Sequence, residues 1–267
     1  MSTIPANLQA VQRRVAAAAQ AAGRPAHSVA LIAVSKTFSV DAVREAADAG
    51  QRAFGENYVQ EALDKIAALR AAGGGPALEW HFIGPIQSNK TRAIAEHFDW
   101  VHSVERLKIA ERLAAQRPAT MAPLQVCIQV NISGAASKSG VAPAETLALA
   151  RAVAALPGLR LRGLMAIPEP TDDPAEQAAA FTALARLGAE LRAAGLPCDQ
   201  LSMGMSADLE AAIAAGATMV RVGTAIFGTR HYAAAEAAAS SSAHAAIGTT
   251  AGTTAGTPNG TPSPTNH

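Results

Sequence analysis

The stretch VALIAVSKTFSVDAVREAADAG, residues 29–50, presents an apolar run, a polar turn and an amphipathic pattern in that order. VALIAVS (29–35) is continuously apolar, as in a strand covered on both faces, whereas VDAVREAADAG (40–50) spaces its apolar residues as a helix does. The turn between them, VSKTFS (34–39), has no glycine. The GxGxxG turn that marks an open dinucleotide-binding sheet is therefore missing.

The same strand–helix unit recurs outward from this stretch. RAFG (52–55) precedes a helical pattern from Asn57 to Leu69, EWHFIG (79–84) one from Asn89 to His97, and WVHSV (100–104) one from Glu105 to Ala115. LQVCIQVN (124–131) leads through a loop to a helix opened by Pro143. LRLRGLMA (159–166) leads to one opened by Pro174, where Phe181, Leu184, Leu187 and Leu191 recur at helical spacing. Asp172 or Asp173 can cap that helix and Gly195 can end it. QLSMGM (200–205) precedes a short helix ending near Gly216, and MVRVG (219–223) closes the series. Strands alternating with helices at this pitch imply parallel pairing through right-handed crossovers. Eight such units in about 200 residues predict a TIM-type (β/α)8 barrel, with an extra N-terminal helix, over a doubly wound sheet.

The chain has 267 residues, 49% of them hydrophobic, which is enough to build a sizeable core. Lys and Arg number 22 against 21 acidic residues, so the charge carries no footprint for nucleic acid. Cys127 and Cys198 lie far apart, which excludes a disulfide framework and a thiolate zinc cluster and fits a reducing compartment. No His/Asp/Glu cluster has metal-ligand spacing. Residues 16–22 (AAAAQAA), followed by Arg24 and Pro25, read as an Ala-rich helix and not as a signal peptide. The longest uncharged stretch, 118–137, contains Pro118, Pro123, Gln125, Gln129 and Asn131 and cannot span a membrane. A soluble cytoplasmic protein is expected, with its working domain over residues 1–232. Residues 233–267, with one acid and no Lys or Arg, read as a low-complexity disordered tail.

Lys36 ends the first strand, at the C-terminal mouth where barrel enzymes present their reactive groups. Among apolar walls its amine would lose hydration and favour the neutral nucleophile that Schiff-base chemistry requires, although a lysine can also snorkel to solvent. Ser206, in QLSMGMSADLEAAIAAG, falls where an N-cap belongs, with Asp208 in the first turn and Leu209 and Ile213 on the buried stripe. Gly223 and Thr224 follow the eighth strand, where this architecture places its phosphate loops. Arg221 sits within the apolar MVRVG and should point into the mouth. A closed barrel pairs strand one with strand eight, which makes Lys36 and Arg221 neighbours. An aldehyde-reactive lysine, an arginine and an anion seat together describe a pyridoxal phosphate site, and a permanent cation at the ring nitrogen weakens carbanion stabilisation. Asn57 hydrogen-bonds a ligand at the mouth or caps its helix. His81 reads as a satisfied core histidine. Asn131 and Lys138 border a polar loop that covers a pocket or is plain surface.

AVSK (33–36), FGENYVQEAL (54–63), WHFIGPIQSNK (80–90), VNISGAASKSG (130–140), LSMGMSADLEAAI (201–213) and VRVGTAIFG (220–228) resemble the pyridoxal phosphate homeostasis protein family over about residues 8–231. The resemblance implies the barrel of alanine racemase without its β-domain. It also implies that Lys36 holds pyridoxal 5′-phosphate as an aldimine, that Arg221 faces the pyridine nitrogen, that Ser206, Gly223 and Thr224 hold the phosphate, and that Asn57 lies near the ring. The chain departs from the family pattern at 133–137 (SGAAS), where an acid is expected near Ala135, and after Tyr232. The expected role is to hold the cofactor and buffer or deliver it, as a monomer serving recipient apoenzymes, without substantial amino-acid turnover. A weak amino-acid racemase and a Schiff-base aldolase acting on a phosphosugar are the alternatives.

Overall fold

In the computed structural model, which describes residues 3–73, 77–135 and 138–229, all eight apolar runs form strands. These are β1 (Ala30–Val34), β2 (Ala53–Glu56), β3 (Glu79–Phe82), β4 (Trp100–Val104), β5 (Leu124–Gln129), β6 (Leu159–Met165), β7 (Gln200–Ser202) and β8 (Met219–Val222). They close a parallel barrel in chain order, so the doubly wound alternative is excluded. Its seam pairs Ile32 with Arg221 and Ala33 with Val222.

An extra helix, α1 (Ile4–Ala21), precedes the barrel. The crossovers carry α2 (Val40–Asp48), α3 (Val59–Ala71), α4 (Thr91–His97), α5 (Leu107–Gln116), α6 (Thr146–Ala154), α7 (Pro174–Ala193) and α8 (Leu209–Ala214), and α9 (Thr224–Phe227) follows β8. Asp173 caps α7 by accepting from the Ala175 amide, with Pro174 at the first position. Gly195, at φ +78°, turns the chain out of α7 while the Leu196 amide reaches back to Leu191. Two expected helix starts move. Pro143 opens a 3-10 turn, tightened by the Glu145 amide bonding Ala142 at 3.0 Å, and α6 begins only at Thr146. Ser206 is not the N-cap of α8. A turn in which the Asp208 carboxylate accepts from the Met205 amide takes up residues 205–208, leaving Asp208 at the cap position.

Two apolar clusters hold the barrel. The larger lies between strands and helices and includes Phe54, Phe82, Phe98 and the α7 stripe Phe181, Leu184 and Leu191. Burial of each such side chain stabilises the fold by about 1.5–3 kcal/mol. The smaller fills the barrel interior with only Ile32, Trp100, Cys127, Met165 and Met219. The rest of the interior is polar, with His81, His102, Ser202 and Arg221 all buried. Among the described residues no helix is long and apolar enough to cross a membrane, and no group of His, Cys, Asp or Glu could hold a metal ion. The expected tail, 233–267, lies outside the described residues.

Candidate functional site

Lys36 lies two residues past the end of β1, half-buried in a turn at the C-terminal mouth. The next residue, Thr37, takes φ +69°, a left-handed conformation that costs a β-branched residue energy. Its amide donates to Glu61 Oε1 at 2.6 Å, which holds the turn in place. Glu61 also meets Lys65 Nζ at 2.6 Å. Lys65 in turn reaches Glu56 Oε1 at 2.8 Å and the Ser35 carbonyl at 2.7 Å, and the Ser35 hydroxyl donates to Glu56 at 2.6 Å. Burial raises the Glu56 pKa, and Lys65 offsets part of that rise. One buried ionic cluster thus pins the strand end that carries Lys36. Phe38 ties the same turn to α9 by stacking on Phe227 at 5.0 Å.

Arg221 is buried and points into the barrel. Its NH1 donates to Ser202 Oγ at 2.6 Å and its NH2 to the Ala166 carbonyl at 2.9 Å. Both acceptors are neutral, and burial draws its pKa down to about 10, with the charge of Asp208 opposing the fall. The expectation that Lys36 stands beside Arg221 needs correction. The residue paired with Arg221 is Ile32, four positions earlier on β1, so the two side chains leave the backbone at different depths of the mouth.

The loops after β7 and β8 meet above this point. Thr224 Oγ1 lies 3.4 Å from Ser206 Oγ, and Gly223 stands at the cap position of α9, whose first amides have no acceptor within the helix. Gly204 shapes the first loop. It takes φ +92°, and a Cβ there would sit 2.6 Å from that of Ala212. Helix α1 braces both loops: Arg14 donates to the Ser206 carbonyl at 3.2 Å, and Asn7 donates to the Ile226 carbonyl at 3.1 Å.

Asn57 does not cap α3; Tyr58 holds the cap position and gives it no side-chain bond. The Asn57 Oδ1 is buried and has no partner. Gly84 packs so closely on Asn57 that a Cβ would sit 2.6 Å from its carbonyl oxygen. Asn131 spends its carboxamide on the Ala135 and Lys138 carbonyls, at 2.9 and 3.2 Å, and so shapes its loop. Lys138 Nζ pairs with Glu169 at 3.7 Å. The structure therefore gathers Lys36, Asn57, Ser206, Arg221, Gly223 and Thr224 at one end of the barrel. A cleft of about 590 Å³ between α2 and α3, lined by Asp48, Arg70 and Trp80, holds none of them.

Sequence reasoning missed Glu56, Lys65, His102 and Ser202. A signal existed for the last two. His81, His102, Ser202 and Arg221 each lie next to a large apolar residue in their strand, and polar side chains within strands read as core need polar partners.

The fold and these side chains define a barrel of the alanine racemase N-terminal domain class, and that family matches residues 6–231. The chain is 63% identical over 234 residues to the pyridoxal phosphate homeostasis protein of Pseudomonas aeruginosa, covering 88% of this chain and 99% of that one. The Escherichia coli K12 protein of the same name is 55% identical over 232 residues, covering 87% and 99%. Among solved structures, PipY of Synechococcus elongatus with PLP bound is 42% identical at a TM-score of 0.69, covering 80% of this chain and all of that one. The chain belongs to the family of pyridoxal phosphate homeostasis proteins.

Proposed function

We propose that residues 1–232 bind pyridoxal 5′-phosphate at the barrel mouth and serve its homeostasis, holding and releasing the cofactor without substantial turnover of an amino acid. The observation that carries this reading is a buried arginine with only neutral acceptors, set on the strand paired with the one that leads into Lys36. The residues present also fit the group's chemistry. A buried Asn57 oxygen lacks a partner, and two hydroxyls converge beside the start of α9. When bound, the cofactor supplies an aldehyde open to amine attack and an electron-withdrawing pyridine ring.

Each residue has a role in this reading. Lys36 is the point of covalent attachment. Ser206, Thr224 and the backbone at Gly223 take the phosphate, and Asn57 bonds the ring's edge. Arg221 faces the ring nitrogen; a group that stays protonated there disfavours a proton on the ring and so weakens its capacity to stabilise a carbanion. Two-base racemisation needs a second acid/base group on the opposite ring face. Tyr58, one of two tyrosines in the chain, is 54% exposed, and Tyr232 lies outside the described residues. This supports a carrier over an enzyme, and with it a cytoplasmic monomer that delivers cofactor to apoenzymes. The relatives' name and the bound ligand of PipY support the same cofactor.

Absorbance titration with pyridoxal 5′-phosphate should give a visible band in the wild type and none in Lys36→Ala, with borohydride trapping the adduct on Lys36. A band retained in Lys36→Ala, or amino-acid conversion above that of free cofactor, defeats the proposal.

A further inference from the structure

An unbroken row of hydrogen bonds crosses the barrel interior from Arg221, next to last in β8, to Glu79, the first residue of β3 at the opposite end. Arg221 NH1 meets Ser202 Oγ at 2.6 Å, and Ser202 Oγ meets His102 Nδ1 at 2.8 Å. His102 Nε2 meets His81 Nδ1 at 2.9 Å, and His81 Nε2 meets Glu79 Oε1 at 2.8 Å. The three middle residues are buried, and Glu79 is 47% exposed. Stacking of His81 on Trp100, at 5.6 Å and 11°, fixes the plane of its ring.

With His81 neutral, donor and acceptor inventories fix every proton in this row. A guanidinium only donates, so Ser202 Oγ accepts from Arg221 and passes its own hydroxyl proton to His102 Nδ1. His102 must then carry its proton on Nε2 and give it to His81 Nδ1. His81 likewise carries its proton on Nε2 and gives it to the Glu79 carboxylate. All lone pairs point toward the mouth and all N–H groups toward the base. A second proton on His81 would instead turn His102 to its Nδ1–H tautomer, donating to Ser202 Oγ, and so reverse the lone pairs that this row presents to the mouth. Burial above all, with the Arg221 charge, also holds the His102 pKa well below the ordinary histidine value.

We infer that Ser202, His102, His81 and Glu79 are positioning residues that act on the bound ligand through Arg221. This role rests on the ligand proposed above. Two of the five guanidinium protons are spent on Ser202 and Ala166, which fixes the group and leaves three for the mouth. The row turns its negative ends toward Arg221 and keeps the formal anion at the far end of the barrel. The lone pairs of the row thus offset part of the burial that disfavours the Arg221 cation, with no carboxylate within ion-pair distance among the described residues.

Long-range 15N–1H NMR of the unliganded protein at neutral pH tests the row itself. Both His81 and His102 are expected neutral with the proton on Nε2. Glu79→Leu should shift the tautomer of His81 and move the His102 ring signals as well. A charged or Nδ1–H imidazole at either position, or His102 signals unmoved in Glu79→Leu, overturns the inference. Titration with pyridoxal 5′-phosphate tests the action on the ligand. Ser202→Ala should weaken binding roughly tenfold and displace the visible band. Normal wild-type binding with Ser202→Ala unchanged overturns the inference. Absence of wild-type binding instead overturns the ligand reading, whatever the tautomers. Should Ser202→Ala fail to fold, Glu79→Leu, altered at the half-exposed end, is titrated in its place, with a displaced band expected and an unchanged one overturning the inference.

Discussion

Among the described residues two cations are buried, Lys65 and Arg221, and their surroundings differ in kind. Lys65, on the outer layer, meets two carboxylates, with Glu56 at 2.8 Å and Glu61 at 2.6 Å. Arg221, in the interior, meets a hydroxyl and a carbonyl, and among the described residues no carboxylate lies within ion-pair distance of it. The lysine cation is paired with two carboxylates, although Glu56 Oε2 is buried without a partner, and the cluster holds a strand end. The arginine is incomplete, and a fold tolerates an incompletely compensated charge where something else is to complete it.

Substitutions at the two cations should break this comparison in opposite ways. Lys65→Met leaves Glu56 buried beside apolar atoms and should cost about 3–5 kcal/mol of unfolding free energy, read by urea denaturation. Adding Glu56→Leu should recover part of that loss; no recovery would mean that Lys65 acts through packing alone. Arg221→Met leaves no buried counter-charge behind. The unliganded variant should lose less than Lys65→Met, about 1–3 kcal/mol, since two charge-assisted hydrogen bonds go while a buried cation is removed with them. Its binding of pyridoxal 5′-phosphate should fall by at least about tenfold. A large stability loss with normal binding would reverse the assignment of the two cations.

Acid sharpens the contrast. The folded pKa of His102 lies well below its unfolded value, so as pH falls through about 6.5 the unfolded chain takes up a proton that the folded chain refuses. Stability conferred by neutral His102 is full above that point and lost below it, at up to about 1.4 kcal/mol per pH unit. Denaturation midpoints between pH 7.5 and 5.5 should show this slope in wild type, and His102→Gln should flatten it. The smallest effect concerns the thiols. Burial pushes Cys198 up to about 11 and Cys127 higher still, so neither should react with iodoacetamide at pH 8 until the chain unfolds. Rapid labelling of folded protein would mean that the interior around Cys127 is open to solvent.

What could be read in the sequence was what is local. Each strand–turn–helix unit announces itself within about thirty residues, so the barrel and the placing of Lys36, Ser206, Arg221, Gly223 and Thr224 at strand ends followed from pattern alone. Register is not local. Nothing in AVSK or VRVG says that Arg221 pairs with Ile32 rather than with a residue nearer Lys36. The polar interior stayed hidden for the same reason: His102 and Ser202, 100 positions apart, meet only because β4 and β7 face each other across a closed barrel. The start of α8 was misplaced because a side chain competing for backbone amides, that of Asp208, decided the turn before it.

The grip of α1 on the two loops has a consequence for biosynthesis. Arg14 and Asn7 bond carbonyls 192 and 219 positions downstream, so the segments after β7 and β8 are braced only after the last strand has left the ribosome and docked against the first helix. A nascent chain therefore lacks these braces until the end of synthesis, and a proteolytic nick within α1 would loosen distant loops that the cut never touches.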